Sequence, residues 1–459
     1  MDTQIASRED ALRLIESKSV RRVYVAVCDL QGQLRGKSTP VGKFRAMLEK
    51  GLTMPPILPA ADFTDIVHPV RLDADAARLG DGPARVVLES CRAIPWEAAD
   101  ANLLFLAELS GEAQDFDPRI LYRRVAARAE QMGFRLLHSC EYEATLLRET
   151  HESVHAKQFR GLEPFTRDSN LYGIARHSAQ SEFWTDLVSL MEHLGIPMEE
   201  CHWELAPGAV EAVMDAAEGV RAADNAAIYK CFAKSFAARR GLMLSFMARV
   251  AHDIAGNSGH VHISLLNREG VPVFYDAARE HSLSATCRHF IGGLQTLLPE
   301  LVLMLLPNVN SWRRLDESSW SFDPRFCAWA IDNRSAAIRV LPGDARILHL
   351  ECRIPGADAN PYLALGCVLA AGLRGVEEEI EPTEPVEVST FGKKLHLPKR
   401  CALPQTMVEA IERFRHSKFA KEAFGAEFVR VFADTRAAQE KEFRNKVSEW
   451  ELRRFLELS

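Results

Sequence analysis

The chain has 459 residues, 47% of them hydrophobic, and a formal net charge of −7. That is enough apolar material for a large core and enough length for two or more domains, while the acidic balance argues against nucleic acid or an anionic membrane surface as a partner. The longest apolar run, residues 362–373, is shorter than the roughly 18 residues of a membrane span, residues 1–10 are polar with no signal-peptide core, and the ten cysteines include no CxxC pair, so a cytoplasmic enzyme with reduced thiols is expected.

Residues 5–17 read as a short helix, and residues 23–29 (VYVAVCD) as a strand that turns through 30–32 and returns over 33–37. Pro55, Pro56, Pro59, Pro69 and Pro83 then punctuate loops and short strands, and Leu103–Leu109 is a further strand. The polar segment 111–117 marks a boundary. A small β-rich domain over residues 1–112 is expected to precede a larger one over 113–459. In the second part helices alternate with strands. Asp117 caps a helix that has Pro118 in its first position and stops at Gly133. Residues 181–194 are amphipathic and stop at Gly195, and the helix over 220–240 stops at Gly241. Residues 242–249 read as a strand, 285–306 as a helix ending at Pro307, 361 to about 373 as a helix opened by Asn360-Pro361, and 406–458 as mostly helical.

Four strand-like segments carry acidic, histidine or arginine side chains two residues apart, a spacing that puts them on one face of a strand. In residues 138–144 (HSCEYEA), Glu141 and Glu143 point the same way with no basic residue between them. Two adjacent carboxylates repel and are costly to bury, and a bound dication removes that cost. On its own this pattern is more often a solvated strand face. Residues 201–211 (CHWELAPGAVE) offer Glu204 and Glu211 around a Pro-Gly turn. In residues 256–265 (GNSGHVHISL), small residues bring the backbone close to something, and His260 and His262 share a face opposite Val261 and Ile263. In residues 348–354 (LHLECRI), His349, Glu351 and Arg353 oppose Leu348, Leu350, Cys352 and Ile354. Five glutamates and one histidine are a hard, oxygen-rich ligand set that suits Mg²⁺ or Mn²⁺ better than zinc or copper. Arg314, Arg334, Arg339, Arg346 and Arg353 lie close together in the chain, and guanidinium forks grip carboxylate and phosphate bidentately. No P-loop is present, which argues against a Walker-type ATPase.

The runs CEYEATLL, ELAPGAVE, RAADNAAIYKCFAK, FMAR, SGHVHISL, NSWRRL, DNRSAAIRV and ECRIPGADANPYLAL, in this order, resemble the glutamine synthetase superfamily over nearly the whole chain. The resemblance implies an α+β fold, with an N-terminal β-grasp domain followed by a glutamine synthetase-type catalytic α/β domain. It also implies stacked rings, as in a homododecamer, with the active site between neighbouring subunits. Carried over, Glu143, Glu204 and Glu211 would hold one metal ion, and Glu141, His260 and Glu351 the other. Arg314 and Gly256 would help bind glutamate, and Arg334 and Arg353 would contact the transferring phosphoryl group. Arg339 and Arg346 would line the nucleotide side, the latter at a position where the family more often has lysine. The implied reaction uses ATP and Mg²⁺ or Mn²⁺ to make γ-glutamyl phosphate from L-glutamate, which an amine then attacks.

The chain departs from true glutamine synthetases where ammonium is bound. Their flap carries a glutamate that helps bind and deprotonate ammonium; the aligned residue is Trp320, with Glu317 nearby. The DGSS-type segment of the N-terminal domain is missing, and residues 51–70 contain only Asp62 and Asp65 as acids. A small cation binds poorly without such carboxylates, whereas an amine carrying hydrocarbon gains from an apolar wall. The γ-glutamylpolyamine and γ-glutamylmonoamine synthetases share this pattern of loss. A γ-glutamyl ligase acting on an organic amine in amine catabolism is therefore expected. The alternatives are an ammonia-using glutamine synthetase and a non-catalytic structural relative. The family's PGQ turn is Pro207-Gly208-Ala209 here. The tyrosine adenylylated in enteric members aligns with Leu395, so that switch is expected to be absent.

Overall fold

The structure is a computed structural model and describes residues 5–56, 61–67, 80–315, 326–387, 389 and 397–458. Trp320, Glu317 and Leu395 lie outside the described residues.

Two sheets organise the chain. The first runs β2-β1-β5-β4-β3 and is built from β1 (Arg22–Cys28), β2 (Leu34–Pro40), β3 (Leu52–Met54), β4 (Gly82–Ala93) and β5 (Leu103–Leu109). β1 and β5 are parallel at the centre, with an antiparallel partner outside each, which is the arrangement expected of a β-grasp sheet. Both faces are covered. Val23, Val25, Val27, Phe105 and Ala107 pack with Ala11 and Ile15 of helix Arg8–Ser17 and Phe44 of helix Val41–Lys50. The alternate residues Ala26, Cys28, Leu104 and Leu106 belong instead to the large core of the remaining chain.

The second sheet has nine strands, which continue as β6 (Arg135–Leu147), β7 (Met198–Trp203), β8 (Ala209–Met214), β9 (Ala217–Glu218), β10 (Met243–Ser245), β11 (Gly259–Leu266), β12 (Trp329–Ile331), β13 (Ile338–Leu341) and β14 (His349–Cys352). Its main order is β12-β13-β14-β11-β6-β8-β7, with β9 and β10 also paired to β6. Helices Pro118–Gln131, Val220–Ala238 and Pro361–Glu377 pack against it, and helix Ala285–Leu305 packs on the last of these. Their apolar sides meet Cys140, Tyr142, Ala144, Val261, Ile263, Leu350 and Cys352. The period of two then forces Glu141, Glu143, His260, His262 and Glu351 onto the other face.

A buried ionic junction ties the two sheets together. Arg119, in the helix capped by Asp117, donates from Nε and Nη2 to Asp224 Oδ1 and Oδ2 at 2.9 and 3.0 Å. It also pairs with Glu108 of β5, while Tyr362 Oη donates to Asp224 Oδ1 at 2.7 Å.

Two stretches differ from expectation. Over 242–249 only Met243–Ser245 is a strand. Ser245 Oγ accepts from Met247 N at 3.2 Å and bends the chain away. Gly82–Ala93 is a 12-residue strand where loops and short strands were expected. Its register against β5 shifts between Val87 and Arg92, a bulge that breaks the alternation by which a strand is read. There Ser90 Oγ, rather than a strand carbonyl, accepts from Leu106 N at 2.7 Å.

Candidate active site

Strand register assembles the site. Glu141 of β6 lies opposite His260 of β11, and His262 of β11 lies opposite Glu351 of β14, which in turn faces Arg339 of β13. On the other side of β6, Glu143 lies opposite Glu211 of β8, and Glu211 opposite His202 of β7. Residues scattered over more than two hundred positions thus form two neighbouring rows on one sheet face.

The first row closes into a compact group. His260 Nδ1 is 2.7 Å from Glu141 Oε1 and 3.2 Å from Glu351 Oε1. His262 Nε2 is 3.2 Å from Glu141 Oε2, and His262 Nδ1 is 3.0 Å from His349 Nε2. Arg339 Nη1 donates to Glu351 Oε2 at 3.1 Å, and Arg353 pairs with Glu351 Oε1. Arg353 Nε also donates to the Arg334 carbonyl at 3.0 Å. Burial alone would raise Glu141, but the imidazoles of His260 and His262 hold it well below the ordinary carboxylate value. Burial opposes ionisation of Glu351 too, and Arg353 with His260 and His262 outweighs it.

The second row is short of positive charge. Burial, then repulsion from Glu141, Glu143 and Glu204, pushes Glu211 well above the ordinary carboxylate value. Glu204, near the Pro207-Gly208 turn, is raised mainly by burial, and its own carboxylate accepts from Leu205 N. Gly208 sits at φ +71°, where a Cβ would lie 2.4 Å from the Leu146 carbonyl, so the turn that brings Glu204 back toward Glu211 requires glycine. Glu143 Oε2 accepts from Ser258 N at 2.7 Å.

Glu141, His260 and Glu351 offer one ligand atom each, all within 4.8 Å of one another, and so do His202, Glu204 and Glu211. The first group is the one expected from the sequence. The second contains Glu204 and Glu211 together with His202, and Glu143 lies alongside in the same row, directly opposite Glu211. Sequence reading passed over His202 because one histidine in a strand carries no signal by itself; its spacing of two from Glu204 was the available clue. The excess of buried carboxylate and the oxygen-and-imidazole donor set fit divalent cations of the Mg²⁺ or Mn²⁺ type.

The arginines divide between two places. Arg334, Arg339 and Arg346 line a cleft of about 450 Å³ together with Glu141, Glu211, His202, His262, His349 and Tyr172. Arg314 is buried at the other end, donating to Ser258 Oγ at 3.0 Å and the Ile354 carbonyl at 3.1 Å. Gly256 lies against it, where a Cβ would come within 2.6 Å of Arg314 Cγ and 2.7 Å of the Ala248 carbonyl. A larger cavity, about 850 Å³, opens beside Lys230, Phe246, Met247 and the Gln31–Gln33 turn. It is lined by no member of either acid–histidine group.

The sheet face thus bears acid–histidine groups and shares its cleft with arginines, a donor set chemically suited to polyanions and divalent cations. The chain belongs to the glutamine synthetase family, a family of ligases: residues 115–455 match the family model described as glutamine synthetase, catalytic domain. It is 32% identical to Type-1 glutamine synthetase 2 of Dictyostelium discoideum, over 100% of this chain and 88% of that protein. It is 30% identical to the glutamate–isopropylamine ligase of a Pseudomonas species, over 97% of this chain and 96% of that protein. A solved structure described as apo GmaS without ligand superposes with a TM-score of 0.83 at 25% identity, covering 97% of this chain and 98% of that one. Among the described residues no helix is long and apolar enough to cross a membrane, and all ten cysteines are unpaired.

Proposed function

We propose that this chain is an ATP- and divalent-cation-dependent ligase that joins the γ-carboxylate of L-glutamate to an organic amine, serving amine catabolism. The observation that carries the reading is the single sheet face on which Glu141, Glu143, Glu211, His260 and Glu351 stand in register beside the arginine-lined cleft. Glu141, His260 and Glu351 would hold one cation; Glu204 and Glu211, with Glu143 beside them, would hold the other. When bound, the cations would neutralise charge on the transferring phosphoryl group. Arg314, steadied by Gly256, orients glutamate, while Arg339 and Arg346 line the nucleotide side and Arg334 and Arg353 contact the moving phosphoryl group. A γ-carboxylate oxygen of glutamate attacks the γ-phosphorus of ATP and ADP leaves. The amine nitrogen then attacks the acyl carbon, phosphate leaves, and the nitrogen loses a proton. The cleft must exclude water until the amine arrives, because the acyl phosphate hydrolyses otherwise.

The choice of an amine rests on sequence and resemblance. Trp320 stands at the aligned position of the ammonium-binding glutamate, and the relative named glutamate–isopropylamine ligase matches nearly end to end. The geometry of the two N-terminal acids supports the same reading. Asp62 Oδ1 accepts from Thr64 N and Oγ1 and from Ile66 N at 2.7–3.0 Å, and Asp65 pairs with Arg35 of β2, so both carboxylates already have partners within the first sheet's part of the chain. The relative named as a type-1 glutamine synthetase favours a second reading, with ammonia as acceptor.

The test is ADP release with L-glutamate and a panel of ammonium, alkylamines, ethanolamine, arylamines and polyamines. At least one organic amine should exceed ammonia at least tenfold in kcat/KM. Each added methylene should contribute up to about 0.8 kcal/mol until the pocket is full. Rates should rise with pH, since only the neutral amine is nucleophilic. Trp320→Glu should erode amine use. Glutamine formation from ammonia as efficient as amidation of every amine tried would establish the second reading instead.

A further inference from the structure

The run FMAR ends on Arg249, a residue to which the reaction above assigns no task. It lies where the chain leaves β10 and loops over to β11. The loop is closed at its base: Asn257 N donates to the Ala248 carbonyl at 2.7 Å, and Asn257 Nδ2 donates to the Met247 carbonyl at 2.7 Å. Ala251, His252 and Asp253 at its tip are exposed, yet Arg249 is only 5% exposed. A buried guanidinium must replace its water with other acceptors, and each of the three nitrogens of Arg249 donates to a backbone carbonyl. Nε donates to Ala251 at 3.1 Å and Nη2 to His252, both in the loop, while Nη1 donates to Arg313 at 2.6 Å in the short helix Ser311–Leu315. Asn310 repeats the link, accepting from Arg249 N and donating to Arg249 O, both at 2.9 Å. The loop carries Gly256 and the short helix carries Arg314, so one side chain fixes the two against each other. Little play is available between them, because a Cβ on Gly256 would already come within 2.6 Å of Arg314 Cγ.

We propose that Arg249 is a positioning residue for L-glutamate: it locks the loop of Gly256 to the helix of Arg314, so that the two meet the substrate as one surface. This rests on the reading that Gly256 and Arg314 bind glutamate, and adds what keeps them in place. A planar guanidinium fork holds three carbonyls from two segments at fixed angles, whereas an ammonium on a flexible stem presents a point charge. Without the fork the loop keeps its base at Asn257, but residues 250–256 lose their tie to the short helix, and glutamate must order them as it binds. The loss falls on glutamate rather than on the nucleotide, because Arg334, Arg339 and Arg346 reach the cleft from other segments of the chain.

The test is calorimetry of L-glutamate and of ADP, each titrated with Mg²⁺ present into wild-type protein, Arg249→Met and Arg249→Lys. Arg249→Met should weaken glutamate binding at least about tenfold, since a misplacement of about 1 Å can cost about 100-fold, and should leave ADP affinity unchanged. Arg249→Lys, which returns the charge without the fork, should recover part of the loss. Unchanged glutamate affinity in Arg249→Met would overturn the proposal. So would equal weakening of both ligands, which would mark Arg249 as a residue of general stability. Wild-type protein that binds ADP but no glutamate would overturn the reading of Gly256 and Arg314, and the proposal with it. Should Arg249→Met fail to fold, hydrogen exchange of wild-type protein decides the matter. Added glutamate should slow exchange over residues 250–256 and 311–315 together, and protection of one segment alone would show that the two are not coupled.

Discussion

His138 lies on the same strand as Glu141 and Glu143 but on the opposite face, against Tyr122 and inside the core. Neither ring nitrogen has a hydrogen-bond partner among the described residues, and burial pulls its pKa down to about 3. The unfolded chain binds a proton there near pH 6.5 and the folded chain does not, so stability is present above pH 6.5 and lost as pH falls below it. Between pH 6.5 and 5 this one side chain should remove about 2 kcal/mol. His138→Leu should flatten that acid limb and stabilise the protein more at pH 5 than at pH 8, as measured by urea unfolding. Gly256 carries the converse lesson, since it is conspicuous for having no side chain. Gly256→Ala would press on Arg314 Cγ, and kcat/KM for glutamate should fall about 100-fold, with a much smaller change in KM for ATP. At this scale the glutamates were legible because carboxylates two apart on a strand face one way. His138 and His262 look alike in sequence, and only the packing on each face of the sheet tells a core histidine from one beside carboxylates. For His202 the local clue was its spacing of two from Glu204, and the fold adds its cross-strand partner Glu211.

Elements were legible where their ends carry chemistry. Asp117 caps its helix through Arg119 N and Ile120 N at 2.9 and 3.2 Å, with Pro118 at the first position, and Asn360 and Pro361 open a later helix in the same way. The strand over Gly82–Ala93 was not legible, because its bulge interrupts the alternation. Nor was the job of Arg119 once its helix was placed. It bridges Glu108 on the first sheet and Asp224 on helix Val220–Ala238, and all three side chains are buried. Arg119→Met would take the guanidinium away from buried Asp224, which keeps the Tyr362 hydroxyl, while Glu108 keeps Arg85 and Arg123. The substitution should cost about 3–5 kcal/mol, measured by chemical denaturation. The exposed pair Arg135–Glu218 has comparable contacts but is open to water. Arg135→Ala should change stability by less than about 1 kcal/mol. Equal losses in the two variants would show that burial does not set the difference.

For the whole molecule, the order of motifs made the family readable. The shared core did not show: Ala26, Cys28, Leu104 and Leu106 join the first sheet to the core of the second, and contacts so distant in sequence leave no local period. By the same resemblance the chain should form a ring homo-oligomer, and a monomer fully active at nanomolar concentration would contradict it. The face of the second sheet sets a further whole-molecule property. Folding gathers Glu141, Glu143, Glu204, Glu211 and Glu351 from three separate stretches of chain onto one surface, where Arg339 and Arg353 pair with Glu351. The unfolded chain keeps these carboxylates apart in water, so metal-free protein folds against their repulsion. Cations that bind only the folded form reverse this, by about 2.7 kcal/mol per site at one hundred times the dissociation constant. Thermal unfolding should therefore move upward on adding Mg²⁺ or Mn²⁺ and return on adding chelator. Glu211→Gln separates this linkage from general ion effects because it acts with opposite signs in the two states. Removing the most crowded charge should make metal-free protein more stable than wild type, while cutting the gain that Mn²⁺ confers. A variant that is less stable in both states would mean that Glu211 is held by contacts other than a cation.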